Sequence, residues 1–375
     1  MHHQSRAHAA VRAPLLAVSI AAACLLVPAC SPQAARHRDR PFPDAATLTA
    51  SIARYGADLP RFDQLRAVVA ATGDRIVFEK YYGTDPDTCW ALASVTKSVV
   101  STLVGIALDD GALHSLDEPL DQLLPRYADV MSPAVARTTL RQLLTMTAGF
   151  PANSSFLESD DWVRDILTHP DGPPGGRFVY SDAGAHLIAA ILRQATGVPV
   201  LTYARSRLFD PLGIDTRPAW QARPDVARPQ QQLAAYYAAD VAWPRDPQGV
   251  ADGWWGLKLR PRDLVKLGQL YLADGRWHGR QIVSSAWVHQ ATSEQVGTGG
   301  LDGYGFEWWT ADDDGHHAFR AMGFGGQLIE VVPDRRLVVV ATTRLRQDDP
   351  TSQGIDTEAL AGVLEEAVMS RFPAR

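Results

Sequence analysis

The chain has 375 residues, 46% hydrophobic and 21% charged, enough to bury a sizeable core in one enzyme-sized unit. A formal net charge of −6 with no long basic run excludes a surface built for nucleic acid. Beyond residue 30 no apolar run is long enough to span a bilayer.

Residues 1–30 read as an address. Arg6 and Arg12 precede an apolar run over 13–29 that ends in Val27-Pro28-Ala29-Cys30. A small residue before a cysteine at the end of such a run resembles a bacterial lipoprotein signal, with Cys30 as the lipidated N-terminus. Cys24, after Ala21-Ala22-Ala23, is a second candidate, and simple secretion or a retained anchor are the alternatives. The expectation is an exported, periplasmic or cell-envelope protein, attached to the membrane through that lipid. Removal of the leader leaves Cys89 as the one thiol, so no intramolecular disulfide forms; Cys89 reads as a small buried hydrophobe.

Residues 31–60, rich in Pro, Arg and Ala, read as a tether leading into a first helix, and 61–375 as the folded domain. Two β-rich runs, 65–71 and 75–82, joined by Thr72-Gly73-Asp74, predict a hairpin. An apolar helix follows from Ser94 and stops at Asp109-Asp110-Gly111. From 111 to about 260 the pattern is short helices separated by Pro and Gly: 116–124, 139–146, 161–167, 183–195 and 200–208. An amphipathic helix over 262–273, strands over 304–310, 317–323, 327–332 and 337–343, and a closing helix over 357–370 complete the series. Strands at both ends with helices between imply an α/β fold. One antiparallel sheet is built from both termini and flanked by helices, with a mostly helical insertion over 111–260.

Ser94-Val95-Thr96-Lys97 carries the chemistry. At helical pitch Ser94 and Lys97 share a face. A serine hydroxyl becomes a good nucleophile when a base takes its proton, and a buried lysine can be that base. At the first turn the Ser94 backbone N–H is also free to meet a developing oxyanion. A lone Ser-x-x-Lys also fits a helix N-cap serine followed by a solvent lysine. Scarcity favours the first reading: the chain has only Lys80, Lys97, Lys258 and Lys266 among 36 basic residues. A second element lies in Gly175-Gly176-Arg177-Phe178-Val179-Tyr180-Ser181-Asp182, a turn, a short β-rich run and a helix start that present Tyr180 at a loop tip. Near the lysine ammonium the phenol is expected to have a lowered pKa and to shuttle a proton. The plainer alternative is that Tyr180 packs and Asp182 caps the next helix.

Ser94-x-x-Lys97, then Tyr180-Ser181-Asp182, then a Gly-rich strand at Gly323 resembles the motif order of the penicillin-recognising serine hydrolases. The chain is most similar to the class C β-lactamase branch, with its D-aminopeptidases, EstB-type esterases and 6-aminohexanoate-dimer hydrolases. Blocks 143–150, 208–214 and 256–264 support the resemblance, which covers nearly all of the chain beyond residue 45. It implies a β-lactamase/transpeptidase-like fold, Ser94 as acylated nucleophile, and Lys97 and Tyr180 as coupled base and acid. It also implies an oxyanion hole of two backbone N–H groups, with Asp182, Gly323 and Phe324 at the substrate, and no cofactor or metal.

Two departures bear on substrate. Where the resemblance implies Lys-Thr-Gly or His-x-Gly, the chain has Phe319-Arg320-Ala321-Met322-Gly323-Phe324, with uncharged Ala321 two positions before Gly323. Strand alternation turns Arg320 to the other side unless a bulge intervenes. Asp182 stands where an asparagine is usual, and an ionised carboxylate there raises the lysine pKa. The expected activity is hydrolysis of carboxylic esters or small amides through an acyl-enzyme. The alternatives are a D,D-peptidase or weak β-lactamase and, in another class, a catalytically silent exported binding or sensor protein. Asp312 to His317 reads as a solvated hairpin and not a metal site. Trp254-Trp255 and Trp308-Trp309 read as packing before they read as pocket walls. His114 and His186 are equally helix-surface residues or participants.

Overall fold

The computed structural model describes residues 44–372, apart from 153, 226, 301, 314 and 346–353. The expected leader with Cys30, and residues 31–43 of the expected tether, lie outside the described residues. The first helix, α1, is Ala45–Tyr55, capped by the Asp44 carboxylate, which accepts from the Thr47 N–H at 2.9 Å.

The predicted hairpin is β1, Leu65–Thr72, and β2, Arg75–Tyr81. Six strands from the far end of the chain complete one antiparallel sheet: β3, Val296–Gly297; β4, Gly303–Tyr304; β5, Trp309–Asp313; β6, His316–Gly323; β7, Gln327–Val332; and β8, Leu337–Thr343. The order across the sheet is β2-β1-β8-β7-β6-β5-β4-β3. Both faces are covered, so β8 is buried along its whole length. One residue set, including Val68, Ala70 and Val339, packs against α1 and the closing helix α6, Thr357–Ala367. The alternate set, including Val69, Ala71 and Val338, packs against α2, Val95–Asp109, and α5, Pro261–Leu272. Gly268 on α5 permits that approach, since a Cβ there would lie 2.5 Å from Val338.

Between α2 and α5 the chain makes short helices. Two position the site: α3, Leu140–Leu144, closed by a Thr139–Gln142 capping box, and α4, Asp182–Thr196. Small strand pairs interrupt the helical stretch. Ala219–Trp220 pairs with Val241–Ala242, and Trp90–Ala91 pairs with Lys258–Leu259.

The structure differs from the sequence expectations in several places. The strand expected over 304–310 is two strands, parted at Glu307, whose φ is 60°. The helix expected over 200–208 is α-helical at Val200–Ala204 and then widens into a π-turn over Arg205–Phe209. The helix expected over 116–124 shrinks to Leu120–Leu123, because Pro119 sets its first turn. Helix Pro229–Ala238 carries too little apolar periodicity to be expected from sequence, and Ser285–Ala291, which buries Trp287, Val288 and Ala291 on one face, is only two turns long.

Candidate active site

Ser94 stands at the entrance of α2, where Ala93, with φ 46°, bends the chain sharply before the helix begins. Its hydroxyl makes no capping bond. It meets instead the Lys97 ammonium, with Nζ 3.0 Å from Ser94 Oγ. Lys97 is 1% exposed, so the reading of an N-cap serine beside a solvent lysine is excluded. Two further acceptors hold the ammonium, Asp182 Oδ1 at 2.7 Å and the Trp254 carbonyl at 3.2 Å. The Tyr180 ring lies with its centroid 4.7 Å from Nζ.

Tyr180 is placed by its surroundings. The Val179 N–H donates to the Met146 carbonyl at 2.8 Å, and the Ser181 hydroxyl to the Pro151 carbonyl at 2.8 Å. Ser181, not Asp182, caps α4, accepting from the Gly184 N–H at 3.0 Å. The Asp182 carboxylate is thereby free to face Lys97, and its second oxygen accepts from the Ser154 hydroxyl at 3.3 Å.

Burial alone lowers the Lys97 pKa, but Tyr180, Asp182 and Glu307 together carry it above its ordinary value, as the carboxylate at 182 leads one to expect. The expected lowering at Tyr180 is overturned. Burial raises the phenol's pKa, and it outweighs the lowering by Lys97 and by a hydrogen bond with Ser94. Cys89 is buried and its thiol is pushed up to about 11 by that burial, as befits an inert packing residue.

Ser94 and Tyr180 open on a cleft of about 390 Å³ whose wall includes Trp309, Met322, Gly323 and Phe324. Gly323 is required for this approach: a Cβ there would lie 2.3 Å from the Leu92 carbonyl and 3.2 Å from Ser94 N. Phe324, 56% exposed, follows it into the β6–β7 turn. Asp302, Asp356 and Glu358 stand on the rim.

The family described as Beta-lactamase matches residues 62–363. The chain belongs to the β-lactamase family. It is 23% identical over 336 residues to a 6-aminohexanoate-dimer hydrolase of Paenarthrobacter ureafaciens, covering 79% of each chain. It is 28% identical over 283 residues to penicillin-binding protein 4 of Amycolatopsis lactamdurans, covering 68% of this chain and 72% of that one. Among solved structures, a putative 6-aminohexanoate-dimer hydrolase from Bacillus anthracis superposes with a TM-score of 0.63 at 18% identity, over 82% of this chain and 79% of that one. That likeness establishes the fold, and serine hydrolase chemistry of the β-lactamase and penicillin-binding protein type goes with the family.

Against the β-lactamase frame, β6 brings no cation to the cleft. Its pairing with β7 is regular from Phe319 to Gly323, so no bulge turns Arg320. Arg320 Nε donates to Glu330 Oε1 at 2.6 Å, and a second guanidinium nitrogen lies 3.6 Å from Asp302 Oδ2. Ala321 is buried in the core beside α2, and Met322 is the wall residue.

Some of the aromatic and histidine expectations change. Trp308 is core, but Trp309 stacks on Tyr180, with centroids 5.9 Å apart and planes 19° apart. Trp254 gives Lys97 its carbonyl and its ring, at 6.0 Å. His186 is neither a surface residue nor at the nucleophile: it is fully buried, with Nε2 3.2 Å from Asp246 Oδ2. Among the described residues no group of three His, Cys, Asp or Glu is placed to hold a metal ion.

Proposed function

We propose that the protein is a serine hydrolase acting through an acyl-enzyme at Ser94 on carboxylic esters or small neutral amides. The observation that carries this reading is the buried Lys97 amine 3.0 Å from the Ser94 hydroxyl, with Tyr180 against both. Lys97 acts from its minor neutral-amine state, since at rest it is an ammonium held by Asp182. Ser94 Oγ attacks the substrate carbonyl carbon and its proton passes to that neutral Lys97 Nζ. The Ser94 backbone N–H, beside which Gly323 leaves room, receives the oxyanion. Tyr180, coupled to Lys97, hands a proton to the departing alkoxide or amine, and water then attacks the ester at Ser94 by the reverse relay.

The substrate class rests on the absence of a basic side chain among the described cleft residues. A carboxylate-bearing β-lactam lacks a charge-assisted bond there worth roughly 1.5–3 kcal/mol, or about tenfold to a hundredfold in binding. A neutral ester has no such need. The relative named for 6-aminohexanoate dimer supports cleavage of an amide but not the preference for a neutral substrate, since that dimer ends in a carboxylate. The relative named a penicillin-binding protein favours the second reading, a D,D-peptidase or weak β-lactamase. A silent binding protein is disfavoured, because Ser94, Lys97 and Tyr180 are all retained and in contact. Export and lipidation at Cys30 belong to the proposal and rest on the sequence of the leader.

One experiment separates these readings. Short-chain p-nitrophenyl esters are expected to be turned over with higher kcat/KM than nitrocefin or benzylpenicillin, and Ser94→Ala to lose both turnover and fluorophosphonate labelling. Faster turnover of nitrocefin than of p-nitrophenyl butyrate would replace the esterase reading with the lactamase one. Full labelling of Ser94→Ala would move the nucleophile elsewhere.

A further inference from the structure

Glu307 occupies the left-handed region, with φ 60°, which a residue with a Cβ adopts only under constraint. The groups that hold it there stand on α2 and α3, the helices that position the site. Its N–H donates to the Leu144 carbonyl at 3.1 Å, at the end of α3. Its carbonyl accepts from the hydroxyl of Ser98, the residue after Lys97, at 2.6 Å. The side chain turns inward and is 2% exposed. Oε2 accepts from the Tyr304 hydroxyl at 2.9 Å, and Oε1 has no hydrogen-bond partner among the described residues. The titratable groups that face it are Lys97 on α2, Asp182 on α4, Tyr304 on β4, and Tyr180. From α3 the contact is the Leu144 carbonyl.

A carboxyl with one donor and one unpartnered buried oxygen is better accommodated neutral than ionised. Burial pushes Glu307 up to about 8, against the lowering by Lys97 and Tyr304. We propose, on the reading that Ser94 is the nucleophile, that Glu307 is a positioning residue of this site and works in its neutral form, leaving Lys97 able to take the Ser94 proton. Ionised, it would set a second anion beside Asp182, tie the proton to Lys97, and oppose negative charge on Tyr180 and on the oxyanion. Glu307 itself neither gains nor loses a proton in the cycle. The Ser94 proton passes to Lys97 and from there through Tyr180 to the leaving group.

The test is kcat/KM for a p-nitrophenyl ester, corrected for spontaneous hydrolysis, in the parent, Glu307→Gln and Ser94→Ala at about pH 7 and pH 9. Glutamine keeps the shape and the Tyr304 bond but cannot ionise. With a Glu307 pKa of about 8, the Gln-to-parent ratio is expected to stand near one at pH 7 and to rise about tenfold by pH 9. If the Gln protein does not fold, Glu307→Gly, which relieves the backbone at φ 60°, serves in the same comparison. A ratio independent of pH, or falling with it, overturns the inference, as does a variant equally impaired at both pH values. Ser94→Ala as active as the parent would instead sink the reading on which the inference rests. An inactive Ser94→Ala with a constant ratio sinks the Glu307 inference alone.

Discussion

Helix α4 carries two clusters of ionisable side chains one turn apart. Asp182, in its first turn, meets Lys97, and His186, four residues on, meets Asp246. Both pairs set a basic side chain on a carboxylate, Asp182 partly and Asp246 fully buried, and the i, i+4 spacing sets Asp182 and His186 on one side of the helix. Their surroundings separate them. The Lys97 cluster touches the Ser94 hydroxyl and opens through Tyr180 onto the cleft. The His186 cluster is sealed. His186 and Asp246 are fully buried, neighbouring Asp252 is 1% exposed, and Phe156 and Trp162 pack on the imidazole. A basic side chain buried on a carboxylate is thus a poor sign of catalysis by itself; what marks the candidate site is the hydroxyl and the open space beside it.

The sharpest way to break this comparison is to disarm the open cluster. Lys97→Ala and Tyr180→Phe are each expected to lower kcat by ~10²–10⁴-fold, and the double variant to lose far less than the product, because the two act as one relay. Multiplicative losses in an ester assay would dissolve the coupled role. The sealed cluster is expected to answer in stability instead. Burial pushes Asp252 up to about 7, opposed by His186 and reinforced by Asp246. The stability that its neutral form contributes is present in full below the unfolded value near 3.8, and is lost as pH rises through about 7. Asp252→Asn cannot ionise. In denaturant unfolding its stability relative to the parent should therefore rise between pH 4 and pH 8, by on the order of 2–4 kcal/mol, with ester turnover held within about twofold. A stability difference that ignores pH would show that the cluster is not buried as described.

The comparison also marks what the sequence could disclose. Ser94 and Lys97 were legible because their contact is set by local helical pitch, and Tyr180 because a Gly-Gly turn and a helix start frame it. The antiparallel sheet followed from β-rich runs at both ends of the chain. Glu307, Trp309 and the Trp254 carbonyl were not legible. Their roles arise from contacts across 127–210 positions, as when Ser98 meets the Glu307 carbonyl, and no spacing rule announces such a meeting. Tyr304-Gly305-Phe306-Glu307-Trp308-Trp309 looks like uninterrupted strand because a left-handed glutamate has no signature in hydrophobic alternation. His186 reads from sequence as a helix-surface residue or a participant and is neither, because its partner Asp246 lies 60 residues on, in a loop with no period at all.

The smallest expected effect concerns the rim of the open cluster, and it tests whether the missing cation limits the substrate range. Ala321 is the wrong place to restore it, since a lysine there would enter the core beside α2. Met322 lines the cleft on the same strand, one residue before Gly323, and is only partly buried. A lysine at 322 can lay its methylenes where the methionine packs and carry its ammonium to solvent at the cleft wall. Solvent screening keeps the gain to the low end of a charge-assisted bond, so Met322→Lys is expected to raise the nitrocefin-to-ester ratio of kcat/KM by about tenfold. The gain should lie in KM for the β-lactam, with ester kcat nearly unmoved, because the new charge meets a carboxylate that only the β-lactam carries. It should also fade with added salt. A ratio that stays at the parent value in low salt would mean that the bias against β-lactams arises at Asp182 and the buried Lys97 pair, not at the rim.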